Sequence, residues 1–207
     1  MIARNKKMIK KFIMWIFIAV LAMTVFLGVS IYFSDDTGDI YYQGFFSSLR
    51  IAMLIFGLLA VITLKKYVAR GLSRKTFFKD STLSIVMISL YSLLLVNVFG
   101  WLLNKVPALA GQILTGEYIE DMILLNASAF VAALLFYYVG LTIFFSFRIN
   151  GWLGTLVSIV LGVFSGYMGF TDMLLNNPGL YFLSAGAATL IFGYLAFRAV
   201  TAAYIKI

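Results

Sequence analysis

Long apolar runs separated by short charged segments set the pattern of this chain. A helix crossing a bilayer core of about 30 Å uses about 20 apolar residues. Six segments reach or approach that length: Phe12 to Phe33, Phe45 to Leu64, Thr82 to Leu103, Ile123 to Phe147, Trp152 to Phe170 and Leu180 to Phe197. The pattern predicts an all-α polytopic membrane protein, a single transmembrane domain over residues 1–207 with six helices and a polar loop at 65–81. The first run is longer than the roughly 7–15-residue core of a signal peptide, and no small-x-small cleavage pattern precedes the acidic loop after it, so it reads as a retained helix. No repeat relates the two halves.

Composition agrees with this reading. Apolar residues make up 63% of the chain and charged residues 12%, whereas a soluble domain carries about a quarter of its residues as charge. With six spans, both termini share a side with the 65–81 loop and the turn at 148–151. Every Lys and Arg except Arg50 and Lys105 falls on that side, while among the acidic residues only Asp80 does. Short basic loops are held back during insertion, so this side is expected to be cytoplasmic. The formal charge of +8 then reflects topology and anionic inner-leaflet lipid, each basic residue near that surface being attracted by about 1 kcal/mol. A nucleic-acid groove would interleave its basic residues with base-stacking aromatics on a wet face. The aromatics here sit inside apolar runs, so no nucleic-acid partner is expected.

The chain has no His and no Cys, which excludes the usual zinc, haem and thiol sites together with disulfides. No span contains Asp or Glu, so a proton relay within the bundle lacks its usual groups. Sodium coupling through backbone carbonyls stays open. The phosphate-binding loop Gly-x-x-x-x-Gly-Lys-Ser/Thr is absent, so the chain is not expected to hydrolyse ATP, act as an enzyme or bind a cofactor itself.

The segment Ala69-Arg70-Gly71-Leu72-Ser73-Arg74-Lys75-Thr76-Phe77-Phe78 carries the most specific signal. Gly71 can end a helix because it takes positive φ without steric cost, and Ser73 can cap a new short one. Arg74, Lys75 and Lys79 would hold that helix in water, with Phe77 and Phe78 as an apolar anchor. The segment is similar to the stretch between the second and third helices of small ABC-2-type permeases, membrane subunits of bacterial ATP-binding-cassette exporters, which often carry a Gly-x-Ser/Thr-Arg-Lys-x-Phe-type pattern there. The six-span profile matches that family along nearly the whole chain. The resemblance implies that Gly71, Ser73, Arg74, Lys75, Phe77 and Phe78 form a coupling helix seated in a groove of a separate ATPase, which would bind ATP and Mg. It further implies a second permease copy or a related permease as partner, and residence in the bacterial cytoplasmic membrane. From the residues alone, a plain positive-inside loop whose phenylalanines begin the third span is the alternative.

Other features carry double readings. Gly154, Ser158, Gly162 and Gly166 recur every four residues on the fifth span and predict a close helix-packing seam, within the subunit or between two. The stretch from Tyr167 to Gly179 reads as a broken or re-entrant piece, or as an outer turn ending in Asn176 to Gly179. Arg50, about a turn inside the second span, would meet an anionic substrate group or pair with Asp35, Asp36 or Asp39. Asn97 and Asn126 would line a polar pathway or bond two helices. Tyr41, Tyr42, Trp101, Trp152 and Tyr181 fit aromatic belts at the membrane surfaces.

These readings lead to an exporter permease moving an amphipathic substrate, with a peptide as the first expectation. A non-transporting scaffold or immunity-type membrane protein and a sodium-coupled carrier are the alternatives.

Overall fold

A computed structural model describes residues 6–33, 40–109, 113, 116–167 and 177–202, and these form helices with short connections and no strand among them. In chain order the helices are α1 Lys6–Phe33, α2 Ile40–Ala69, α3 Arg74–Leu103, α4 Gly116–Ile149, α5 Gly151–Tyr167 and α6 Pro178–Ala202. Five of them are long and apolar enough to cross a membrane, all but α5. The 17 residues of α5 extend about 25 Å at 1.5 Å per residue, short of a bilayer core. The expected fifth span ran on to Phe170, and residues 168–176 lie outside the described residues, as does most of the stretch expected to be re-entrant. The loop acids Asp35, Asp36 and Asp39 also lie outside them.

Helix ends are set by local chemistry. Asn150 separates α4 from α5, and its side-chain oxygen accepts the Trp152 amide at 3.0 Å, satisfying a donor that the first turn would otherwise leave free. At the start of α6, Pro178 occupies the first helical position, where its missing N–H is no loss, and the Asn177 carbonyl accepts the Tyr181 amide at 3.0 Å.

The chain divides into two compact units, and α2, α3 and α4 each contribute to both. The first comprises Met1–Leu49 and Val86–Phe130. Its α1 buries Val20, Thr24, Leu27 and Ile31, a spacing of four, three and four that forms one face of a helix. The start of α2 meets this face closely: a Cβ on Gly44 would lie 2.9 Å from a Leu27 methyl. Tyr41 donates its hydroxyl proton to the Val96 carbonyl at 3.2 Å and lies 3.3 Å from the Thr24 hydroxyl. Gly100 leaves room for the Tyr42 hydroxyl and the Tyr41 ring. Tyr41 and Tyr42 are therefore core residues, which corrects their expected place in an aromatic belt. The helix begins at Ile40, five residues before the apolar run, and carries both rings inward. Trp101 remains exposed, with the Lys105 ammonium 5.0 Å from its ring centre.

The second unit comprises Arg50–Ile85 and Val131–Ile207. Here α2 and α4 cross at Gly57 and Gly140. A Cβ on Gly57 would lie 2.9 Å from the Leu141 nitrogen and 3.0 Å from the Gly140 Cα, and one on Gly140 would lie 3.1 Å from the Gly57 Cα. Any side chain at either position would push two backbones apart. Tyr181 on α6 is buried, a second correction to the belt, while Trp152 on α5 is 80% exposed.

Candidate functional site: the basic corner between α2 and α3

The corner is built in four residues. α2 ends in a left-handed turn at Gly71, where φ is +73°. The Leu72 amide bonds the Tyr67 carbonyl at 3.1 Å and the Gly71 amide bonds the Val68 carbonyl at 2.9 Å. This is the paired closure by which a glycine just past a helix satisfies its last carbonyls. Ser73 then caps α3: its hydroxyl oxygen accepts the Thr76 amide at 3.1 Å, and its carbonyl accepts the Phe77 amide at 3.0 Å. The sequence-based roles of Gly71 and Ser73 as stop and start are those seen. The capped helix, however, is not a short separate one, because α3 continues without a break from Arg74 to Leu103.

The side chains of the corner sort by face. Positions 74, 77, 78, 81 and 85 follow the helical repeat and turn inward. Phe77 is 1% exposed and meets Tyr67 edge-on, ring centres 5.4 Å apart. Phe78 is half-buried between Tyr138 of α4, stacked at 5.9 Å, and Phe197 of α6, edge-on at 5.4 Å. Tyr138 in turn donates to the Thr82 hydroxyl at 3.4 Å and lies against Gly193, where a Cβ would come within 3.3 Å of the ring. Arg74 donates from Nη1 to the Thr201 carbonyl at 3.1 Å, placing a cation at the C-terminal end of α6, where the helix dipole favours it. Tyr67 donates to Asp80 Oδ2 at 3.0 Å.

This arrangement corrects the expectation that Phe77 and Phe78 form an aromatic anchor open to a partner. Both lie on the inward stripe of α3 because the helix starts at Arg74, and both pack inside the chain. Arg74 also turns inward. The outward face holds the cap Ser73 with Lys75, Thr76 and Lys79 of α3, and Lys65 and Lys66 of α2 with Arg70 just past its end, all exposed. The exposed surface is therefore cationic and hydroxyl-bearing, fixed to three other helix segments by aromatic packing and two hydrogen bonds that involve charged groups.

The remaining predicted residues fall elsewhere. Asn97 and Asn126 meet between α3 and α4 in the first unit. Asn97 Nδ2 donates to Asn126 Oδ1 at 2.8 Å and to the Leu93 carbonyl at 2.7 Å. Asn126 Nδ2 donates to the Met122 carbonyl at 2.8 Å and to Asn97 Oδ1 at 3.5 Å. With both amides engaged by their own and each other's helices, the pair ties two helices together. Arg50 is half-buried and belongs to the second unit. On α5, Gly154 is a close contact, a Cβ there coming 2.7 Å from the Phe147 Cα across the turn. The Ser158 hydroxyl donates back to the Gly154 carbonyl at 2.7 Å. Among the described residues a Cβ on Gly162 would meet no atom within 4 Å, and the surroundings of Gly166 lie outside them. Of the four seam positions, Gly154 shows a close contact among the described residues, a local one to Phe147 at the end of α4.

Sequence reasoning missed Tyr67, Asp80, Tyr138, Phe197 and Thr201 as parts of the corner, and Gly57 and Gly140 as the helix crossing. A single glycine inside an apolar run was the available signal for the crossing. Among the described residues no group of His, Cys, Asp or Glu could hold a metal ion. No protein-family model, curated protein or solved structure matches the chain.

Proposed function

We propose that this chain is the membrane subunit of an ATP-driven exporter of the ABC-2 type, with the α2–α3 corner as its contact with a separate ATPase. The observation that carries this reading is the corner itself: a basic, exposed surface whose back is fastened to α2, α4 and α6. A load applied at Arg70 or Lys75 passes through Phe77 into Tyr67, through Phe78 into Tyr138 and Phe197, and through Arg74 into the end of α6. Packed aromatic contacts resist compression, so the attached helices would move with the corner as one body. The ATPase would supply ATP binding and Mg, and this chain the pathway. A second permease copy or a related permease would complete it.

An amphipathic cargo, with a peptide as the first candidate, suits spans that contain no Asp or Glu. The reading places the corner in the cytoplasm of a bacterial cell, consistent with the sorting of charge in the sequence. Co-reconstitution with the ATP-binding-cassette subunit encoded nearest to this chain tests it. Stimulation of ATP hydrolysis by this chain is the expected result. Co-purification without stimulation, or no association, would favour the scaffold reading instead.

A further inference from the structure

The partner expected from the resemblance would receive an aromatic knob, and the structure has turned both candidate aromatics inward. What remains outward at the tip is polar: Arg70 and Lys75 beside the turn and the Ser73 and Thr76 hydroxyls, which lie 2.8 Å from one another, all exposed. Lys75 and Lys79 are four residues apart on α3 and share a helix face, while Lys66 lies on the last turn of α2 and Arg70 just past its end.

The height of these residues separates two kinds of anionic partner. A bilayer about 40–45 Å thick with a core of about 30 Å leaves headgroup layers of roughly 5–8 Å on each side. The second apolar run ends at Leu64 and the third begins at Thr82. With the core edge at the ends of these apolar runs and 1.5 Å per residue, Lys65, Lys66 and Lys79 would stand about 2–5 Å from it, within reach of lipid phosphates. Arg70 and Lys75 would stand about 9–11 Å from it, beyond the headgroups. The tip is also preorganised by the Tyr67–Asp80 bond and the Phe77 and Phe78 packing. Fixed geometry lowers the ordering cost of docking to a shaped protein surface, whereas diffuse attraction to lipid does not need it.

We propose that Arg70 and Lys75, with Ser73 and Thr76, dock into an acidic, polar groove of the cytoplasmic partner, recognised by charge and hydrogen bonds, while Lys65, Lys66 and Lys79 rest on lipid phosphates. The identity of that partner rests on the permease reading above; the chemistry of the groove rests on the exposed residues.

The test uses the full chain in nanodiscs of neutral phosphatidylcholine and, separately, of phosphatidylcholine with phosphatidylglycerol. The probe is the purified ATP-binding-cassette subunit encoded nearest to this chain. Binding in neutral discs should weaken about tenfold or more in the Arg70→Glu, Lys75→Glu double variant, mainly through faster dissociation and slower salt-sensitive association. Raising the salt concentration should weaken the unaltered chain in the same direction. A Lys65→Glu, Lys66→Glu variant should bind the ATPase as the unaltered chain does in neutral discs. Because all four positions are exposed, each variant should elute as the same folded species. Binding that withstands both the Arg70 and Lys75 reversals and salt would overturn the acidic groove while leaving the permease reading in place. Binding that appears only with phosphatidylglycerol, and is lost equally in both double variants, would assign the tip to lipid and overturn it too. Failure of the unaltered chain to bind in either disc would overturn the permease reading and the groove together.

Discussion

Truncating Phe77 separates an internal role from a docking role. The side chain is 1% exposed and lies edge-on to Tyr67 at 5.4 Å. Removing a buried phenylalanine side chain costs about 3–5 kcal/mol in packing and cavity terms, and an edge-on aromatic pair contributes about 0.5–1.5 kcal/mol of that beyond area burial. Phe77→Ala should therefore destabilise the second unit by about 3–4 kcal/mol, a substantial share of the about 5–15 kcal/mol that typically separates folded from unfolded states. Lys75→Ala, on the same helix turn but exposed, should stay within about 0.5 kcal/mol. The assay is thermal unfolding in mild detergent, read by size-exclusion chromatography, with Tyr67→Ala and the double variant completing a cycle. A coupling of about 0.5–1.5 kcal/mol between Tyr67 and Phe77 is expected. If Phe77→Ala unfolds at the same temperature as the unaltered chain, the ring is not buried in the corner and the inward reading of α3 is wrong.

Three further outcomes follow from other parts of the fold. Gly57→Leu should sharply reduce folded yield because a Cβ there would meet the backbone of α4, whereas Gly186→Leu on α6, with no described atom within 4 Å of an added Cβ, should be tolerated in the isolated subunit; equal loss from both would refute the glycine crossing. Asn97→Ala should destabilise by about 1–2 kcal/mol by removing a bond between helices, and Asn97→Leu with Asn126→Leu should recover part of that loss; a double variant worse than the sum would show that the pair serves something other than packing. Cysteines at Ala69 and Ala108, both exposed in this cysteine-free chain, should react oppositely with an impermeant thiol reagent in intact cells, and equal labelling would contradict the charge-based orientation.

The helices were legible in the sequence to different depths. Apolar length located the segments that became α1 to α4 and α6, because a bilayer constrains length more strongly than it constrains side-chain identity. Their ends were less visible. Tyr41 and Tyr42 lie before the apolar run of α2, and Lys65 to Ala69 and Arg74 to Ser81 carry helix beyond the runs, where capping rather than hydropathy sets the limit. Gly71 and Ser73 could be placed because stop and cap signals are local. The inward turn of Phe77 and Phe78 could not, since it depends on Tyr67, Tyr138 and Phe197, which are far apart in the chain. The four-residue spacing on α5 marks where a close approach is permitted, and at Gly154 the neighbour is Phe147 across the turn, a contact that spacing alone does not name.

Photo-crosslinking tests most directly the proposed contact between the tip of the corner and an ATPase. A benzoylphenylalanine placed at Lys75, in the chain co-reconstituted with the ATP-binding-cassette subunit encoded nearest to it, should form an adduct with that subunit, and the same group at Ala108 should form none. Adducts of equal yield from both positions, or none from Lys75 while the two proteins co-purify, would contradict an ATPase contact at the tip.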